Sequence, residues 1–161
     1  MTDLVIRTFR LNGLFLAMGE LMARPAGLTS ARWQVLGAIL REPLSVSAIA
    51  RAMGLTRQSV QRLADALVSD GMAEYLRNPR HRRAKLLSPT ERGRAAIDVI
   101  RPLQHHFTDH VTAEIDAEEL RRAVATMDRI IARIELEPWE PPATAARAAT
   151  GENAPPSEQD Q

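Results

Sequence analysis

The 161-residue sequence predicts a mainly α-helical chain carrying one small β-hairpin. Three observations carry this expectation. Apolar residues recur at helical spacing over several long stretches. Two short runs between residues 72 and 88 flank an Asn-Pro turn. The chain is 45% hydrophobic yet only 4% aromatic, so its core has to be aliphatic.

Residues 3–24 read as one long helix, with apolar positions at Leu4, Val5, Leu11, Leu14, Phe15, Met18, Leu21 and Met22. Thr2 or Asp3 is expected to cap its start, and Pro25 with Gly27 marks its stop. These apolar residues spread over more than one face. A lone small domain cannot bury them all, so a second helical surface has to cover the remainder. Thr29 caps a second helix running to about Arg41, with Trp33, Leu36, Ile39 and Leu40 inward, and Pro43 ends it. Ser45 opens a short helix to Met53, which Gly54 closes in the left-handed conformation.

Thr56 caps the next helix, which runs to about Asp70 and is closed by Gly71. Val60, Leu63, Ala64, Leu67 and Val68 form its single buried stripe. Met72–Arg77 and Ala84–Ser88 pair as two short strands around the turn at Asn78-Pro79-Arg80-His81. Ser88-Pro89-Thr90-Glu91 reads as a capping box with proline at the first helical position. The helix it starts runs to about Thr112, and Pro102 is expected to kink it by removing a donor. Asp116, with Glu119 three residues on, opens a last helix striped by Leu120, Val124, Met127, Ile130, Ile131 and Ile134. Met18, Met22, Met53 and Met72 read as core packing. From 138 to 161 the composition turns to Pro, Ala, Glu and Gln without periodicity. A disordered tail is expected there, with Trp139 at its start either pinned to the body or exposed.

Composition removes several function classes. Without cysteine there are no disulfides, thiolate metal sites or cysteine redox sensing. Asp3, Arg7 and Arg10 interrupt the first apolar stretch, against a signal peptide. No run approaches the roughly 18 uncharged apolar residues of a membrane span. A soluble, cytoplasmic chain is expected. The formal net charge is only +1, but it is unevenly distributed. Between Arg51 and Arg94 ten basic residues (51, 57, 62, 77, 80, 82, 83, 85, 92, 94) face four acids (65, 70, 74, 91). The segment from 138 onward holds one Arg and four acids. A GC-rich genome would explain why Lys85 is the lone lysine, but not this clustering, which points toward nucleic acid.

Two short helices joined by a turn at Gly54 and followed by a two-stranded hairpin make a winged helix-turn-helix. In that arrangement the second helix enters the major groove N-terminal end first. Its buried stripe leaves Thr56, Arg57, Gln58, Gln61, Arg62 and Asp65 exposed. Arg suits guanine and Gln suits adenine, while Thr56 and Ser59 suit phosphate at a helix start. Ser45 begins the preceding helix and Arg77 borders the wing, so both join the expected interface with duplex DNA. The wing tip gathers Arg80, His81, Arg82, Arg83 and Lys85. Such a tip suits phosphate, with one Arg in the narrow minor groove.

The run Leu44–Leu67 (LSVSAIARAMGLTRQSVQRLADAL), the wing, and Leu87–Gly93 (LSPTERG) resemble the multiple-antibiotic-resistance regulator (MarR) family. The resemblance spans roughly residues 3–137. It implies a homodimer whose outer helices, 3–28 and 89–137, interlock, with a winged helix-turn-helix over 29–88 on each flank. It also implies repression of nearby genes through a pseudo-palindromic operator. A small aromatic or phenolic effector, bound between the dimer region and the DNA-reading region, would relieve that repression. The family's wing motif, Asp-x-Arg-x-x-Arg or Lys, is met here by Asn78, Arg80 and Arg83. Asn78 carries no charge to hold an arginine, so Asp65 is the substitute anchor to test.

For an effector site, Trp33 with Phe9, Asn12 and Phe15 are the candidate lining residues, and the same side chains would serve equally as core. Arg10 or His106 is placed to meet a carboxylate. His105, His106 and His110 cluster on one helix and offer a metal-responsive alternative. His105 and His106 are adjacent and diverge, however, and no cysteine completes a site, so ordinary surface or dimer-contact histidines are expected and no metal is assigned. A second alternative is a winged-helix protein-interaction module, against which the intact Arg57, Gln58, Gln61, Arg62 face argues. Catalysis is not expected. The one tyrosine, Tyr75, lies in the wing, and no phosphate loop or hydrolase spacing is present. No cofactor is expected either.

Overall fold

The protein is described from a computed structural model that covers residues 1–79, 81 and 83–137. Arg80, Arg82, Trp139 and the expected tail over 138–161 lie outside the described residues. In chain order the elements are α1 (Thr2–Ala23), α2 (Ser30–Ala38), β1 (Leu44–Ser45), α3 (Val46–Met53), α4 (Arg57–Ser69), β2 (Ala73–Leu76), β3 (Leu86–Pro89), α5 (Glu91–Thr112) and α6 (Ala117–Leu136). They form two compact units, Met1–Val111 and the segment from Thr112 onward. Among the described residues no helix is long and apolar enough to cross a membrane.

The caps explain most boundaries. Thr29, Ser45 and Thr56 each accept a hydrogen bond from the backbone N–H three residues on, at 3.3, 3.2 and 3.2 Å. Gly54 closes α3 with φ 63°, a left-handed conformation that side-chain-bearing residues rarely adopt, and this sets the turn into α4. Asp116 accepts from the N–H groups of Glu118 and Glu119 at 2.7 and 3.3 Å. α1 departs from expectation: Met1 precedes its first turn without a side-chain cap, and Asp3 instead pairs with Arg7 at 3.2 Å. α2 stops at Ala38 rather than near Arg41. Its last turn tightens into i→i+3 bonds, Ile39 to Leu36 and Leu40 to Gly37, ahead of Pro43.

The sheet corrects the two-stranded expectation. It has three antiparallel strands in the order β1-β3-β2, because Leu44 and Ser45 pair with Leu87 and Leu86. Tyr75 lies opposite Leu87 on the other side of β3. The helix start after the sheet also moves. Ser88 and Pro89 complete β3 against Glu74 and Ala73, and Thr90 caps α5 by accepting from the Gly93 N–H at 3.2 Å. Ladder pairing with β2 claims the two residues that local capping rules assign to the helix. Thr90 also donates to the Gly71 carbonyl at 2.7 Å, tying the start of α5 to the turn after α4.

One aliphatic core joins these elements. Val35 and Leu36 of α2, Ile39 just after it, Ile49 of α3, Val60 and Leu67 of α4, Leu87 of β3 and Ile100 of α5 are fully buried. Each such side chain contributes about 1.5–3 kcal/mol on leaving water. Trp33 and Leu40, expected inward, are half-buried. At the packing of α5 on the turn after α4, Gly93 admits no side chain, because a Cβ there would run into the Met72 carbonyl. Arg32 of α2 and Asp70, the residue that ends α4, form an ion pair at 2.8 Å.

Candidate nucleic-acid interface

The buried stripe Val60, Ala64 and Leu67 fixes the rotation of α4 about its axis. Arg57, Gln58 and Arg62 are therefore exposed, and Gln61 is half-buried. The first turn of α4 contains no acid, so nothing offsets the partial positive charge of the helix start there. Thr56, besides capping, donates to Ser59 Oγ at 2.9 Å.

A cleft of about 260 Å³ opens between the start of α3, α4 and the wing. It brings together five residues expected at the interface: Ser45, Arg57, Gln61, Arg83 and Lys85. Ser47 and Tyr75 complete its polar lining. Gln58, Arg62, Arg77 and His81 are exposed outside it. Among the described residues none of Arg57, Arg62, Arg77, Arg83 and Lys85 forms an ion pair, whereas Arg32 does. Three cations and two serine hydroxyls around one opening can accept anionic oxygens such as phosphate.

Tyr75 is the residue that sequence reasoning passed over. Its hydroxyl donates to Asp65 Oδ1 at 2.7 Å and accepts from Gln61 Nε2 at 2.7 Å, and Gln61 Nε2 also donates to Asp65 Oδ1 at 2.9 Å. Lys85 Nζ lies 5.7 Å from the Tyr75 ring centroid, within cation–π range. Burial, followed by the hydrogen bond to Asp65 and its negative charge, pushes the Tyr75 phenol up from 10.0 to about 12, with the Gln61 hydrogen bond opposing. Among the described residues Asp65 bonds to Tyr75 and Gln61, while Arg80 and Arg82, among the wing arginines for which it was the expected anchor, lie outside the described residues. Asn78 is buried at the end of β2.

A second cavity, about 280 Å³, lies between α1, α2 and α5. Phe15, Met22, Trp33 and Phe107 supply its apolar wall, and Ser30, Gln34, Gln104 and Thr108 its polar groups. Phe15 and Trp33 were expected there. Phe9, Asn12 and His106 are exposed and do not line it. His105, His106 and His110 are exposed as well, and among the described residues no three His, Cys, Asp or Glu side chains converge as a metal site.

The model of the MarR family matches residues 26–84, from the turn before α2 into the wing. An uncharacterized protein of Mycobacterium tuberculosis, Rv2011c, is 37% identical over 134 residues, which is 83% of this chain and 94% of that protein. The chain belongs to the MarR family. Another relative, the transcriptional activatory protein BadR of Rhodopseudomonas palustris, is 29% identical over 101 residues, 60% of this chain and 58% of BadR. The MarR-type fold is shared with the M. tuberculosis transcriptional regulator MOSR, solved in complex with DNA. That structure matches at a TM-score of 0.66 and 25% identity, covering 80% of this chain and 96% of MOSR.

Proposed function

We propose that this protein is a dimeric transcriptional regulator that reads duplex DNA with α4 and the wing, and whose occupancy of DNA is set by a small uncharged aromatic molecule. The observation carrying the DNA reading is the cleft lined by Arg57, Arg83 and Lys85 together with Gln61 and Tyr75, in which no carboxylate among the described residues pairs with any of the three cations. Arg57, Gln58, Gln61 and Arg62 of α4 address base edges. Thr56, Ser59, Ser45 and the wing cations Arg77, Arg80, Arg82, Arg83 and Lys85, with His81, address phosphates. The solved DNA complex of MOSR supports this use of the fold.

The effector reading rests on the cavity between α1, α2 and α5. Among the described residues its polar groups are two carboxamides and two hydroxyls, without a cation. A carboxylate placed there would lose its hydration without an opposite charge, whereas a phenol would keep hydrogen-bond partners. Repression is the expected sign of control; the activatory role in BadR's name supports the opposite sign as a second reading.

Mobility shift of the DNA upstream of the protein's own gene tests the proposal. Affinity falls by about 10³–10⁵ between roughly 50 and 200 mM salt if the dimer neutralises roughly 6–10 phosphates. A flat salt response sinks the electrostatic interface. Added phenol releases the complex and added benzoate does not; benzoate acting alone sinks the neutral-ligand reading.

A further inference from the structure

The Gln61 carboxamide nitrogen is held between two oxygens of its neighbours. Asp65 Oδ1, a carboxylate oxygen that only accepts, lies 2.9 Å from Gln61 Nε2, so the atom at that position has to be the nitrogen. Tyr75 Oη, whose own hydrogen goes to Asp65 at 2.7 Å, lies 2.7 Å from the same nitrogen and accepts from it. The three side chains thus close a triangle of contacts that turns the Gln61 nitrogen toward Asp65 and Tyr75. The elevated proton affinity of the Tyr75 phenol keeps that hydroxyl a donor throughout the neutral range. Among the described residues Gln61 Oε1 has no partner, and the side chain lines the cationic cleft beside Arg57.

We propose that Tyr75 and Asp65 are positioning residues that commit the Gln61 nitrogen, so that Gln61 meets DNA through Oε1 alone and selects an amino-bearing base over a keto-bearing one. A free glutamine amide pairs with adenine in bidentate fashion, accepting from N6–H and donating to N7. With its nitrogen committed, Gln61 keeps only the accepting half. Adenine and cytosine both present an exocyclic amino group in the major groove, whereas guanine and thymine present keto oxygens there. Gln61 therefore discriminates amino from keto bases at one position of each half-site and leaves adenine and cytosine nearly equivalent. The wing residue Tyr75, which need touch no base, thereby sets the readout of the recognition helix.

This inference rests on the DNA-reading role proposed above, and one experiment separates the two. The full chain is used to select from a randomised duplex library, followed by sequencing, alongside Gln61→Ala, Tyr75→Phe and Asp65→Ala. Gln61→Ala flattens the position that Gln61 reads. At that position the unmodified protein enriches adenine and cytosine together. Tyr75→Phe, which keeps the ring and loses the hydroxyl, removes one of the two acceptors that hold the nitrogen, and adenine then rises over cytosine by about five-fold or more. Asp65→Ala, on the exposed side of α4, removes the other acceptor and moves the preference the same way. A general loosening of the wing would lower all positions together and leave the adenine-to-cytosine ratio unchanged. An unchanged ratio in both variants, adenine alone in the unmodified protein, or no flattening by Gln61→Ala overturns the proposal while DNA reading stands. Enrichment of no sequence by the unmodified protein overturns both.

Discussion

Tyr75 is the only tyrosine in the chain, so its ionisation can be followed directly by the near-ultraviolet absorbance of tyrosinate. The folded phenol holds its proton to about pH 12, against 10.0 for the ordinary group. Because the folded value lies above the unfolded one, the hydroxyl's contribution to stability is complete below about pH 10 and is lost as pH rises toward 12. Asp65→Asn removes the negative charge and should bring the midpoint back toward 10; a midpoint unmoved by that substitution would show that burial alone raises it. At this scale the sequence was partly legible. Arg57, Arg83 and Lys85 stood out by charge, and the cleft gathers them. Gln61 and Asp65 were visible as an exposed pair one turn apart, but their partner was not, because Tyr75 lies ten residues beyond Asp65 on another element. An aromatic residue in a strand reads as packing until its hydroxyl is placed.

Element boundaries followed the sequence where local chemistry decides them. Thr29, Ser45, Thr56 and Asp116 cap as their residue types require, and Gly54 turns α3 toward α4. The start of α1 and the end of α2 moved for local reasons, whereas the sheet and the start of α5 moved because of partners distant in sequence. β1 exists because Leu44 and Ser45 pair with residues about forty positions later, which a two-residue run cannot announce. Ser88 and Pro89 carry every local mark of a helix start, yet β2 holds them in the sheet. Thr90 therefore does two jobs, capping Gly93 and anchoring on Gly71. Thr90→Ala is expected to cost about 1–2 kcal/mol in urea unfolding, with Thr90→Ser retaining most of the stability. A loss no larger than a few tenths would mean that the ladder alone sets the start of α5.

The excess of apolar surface read in the first helix persists in the folded chain. Ile6 and Phe9 of α1 are 60% and 72% exposed, and on α6 the stripe Val124, Ile131 and Ile134 is 57%, 53% and 64% exposed. Soluble chains rarely leave such areas bare, and two-fold pairing covers a self-complementary face with its own copy. We therefore expect sedimentation to give a dimer, and Val124→Asp with Ile131→Asp to give a folded monomer. Its affinity for a two-half-site operator should fall about 10²–10⁴-fold, because linked half-site binding is lost. A variant that stays dimeric would remove α6 from the interface. The exposed apolar positions were legible from their spacing, whereas a covering surface belongs to no residue order within one chain.

α2 borders two spaces at once. Ser30, Trp33 and Gln34 face the cavity, while Val35, Leu36 and Ile39 sit in the core shared with α4. Its first turn is moored twice, by the Glu20 carboxylate accepting from the Ser30 N–H at 2.8 Å and by Arg32 on Asp70. A molecule placed in the cavity would lean on a wall whose other side packs on α4. Arg32 on Asp70 ties that wall to the end of α4 opposite Thr56, so force from the cavity would steer the helix from its stern rather than push at its bow.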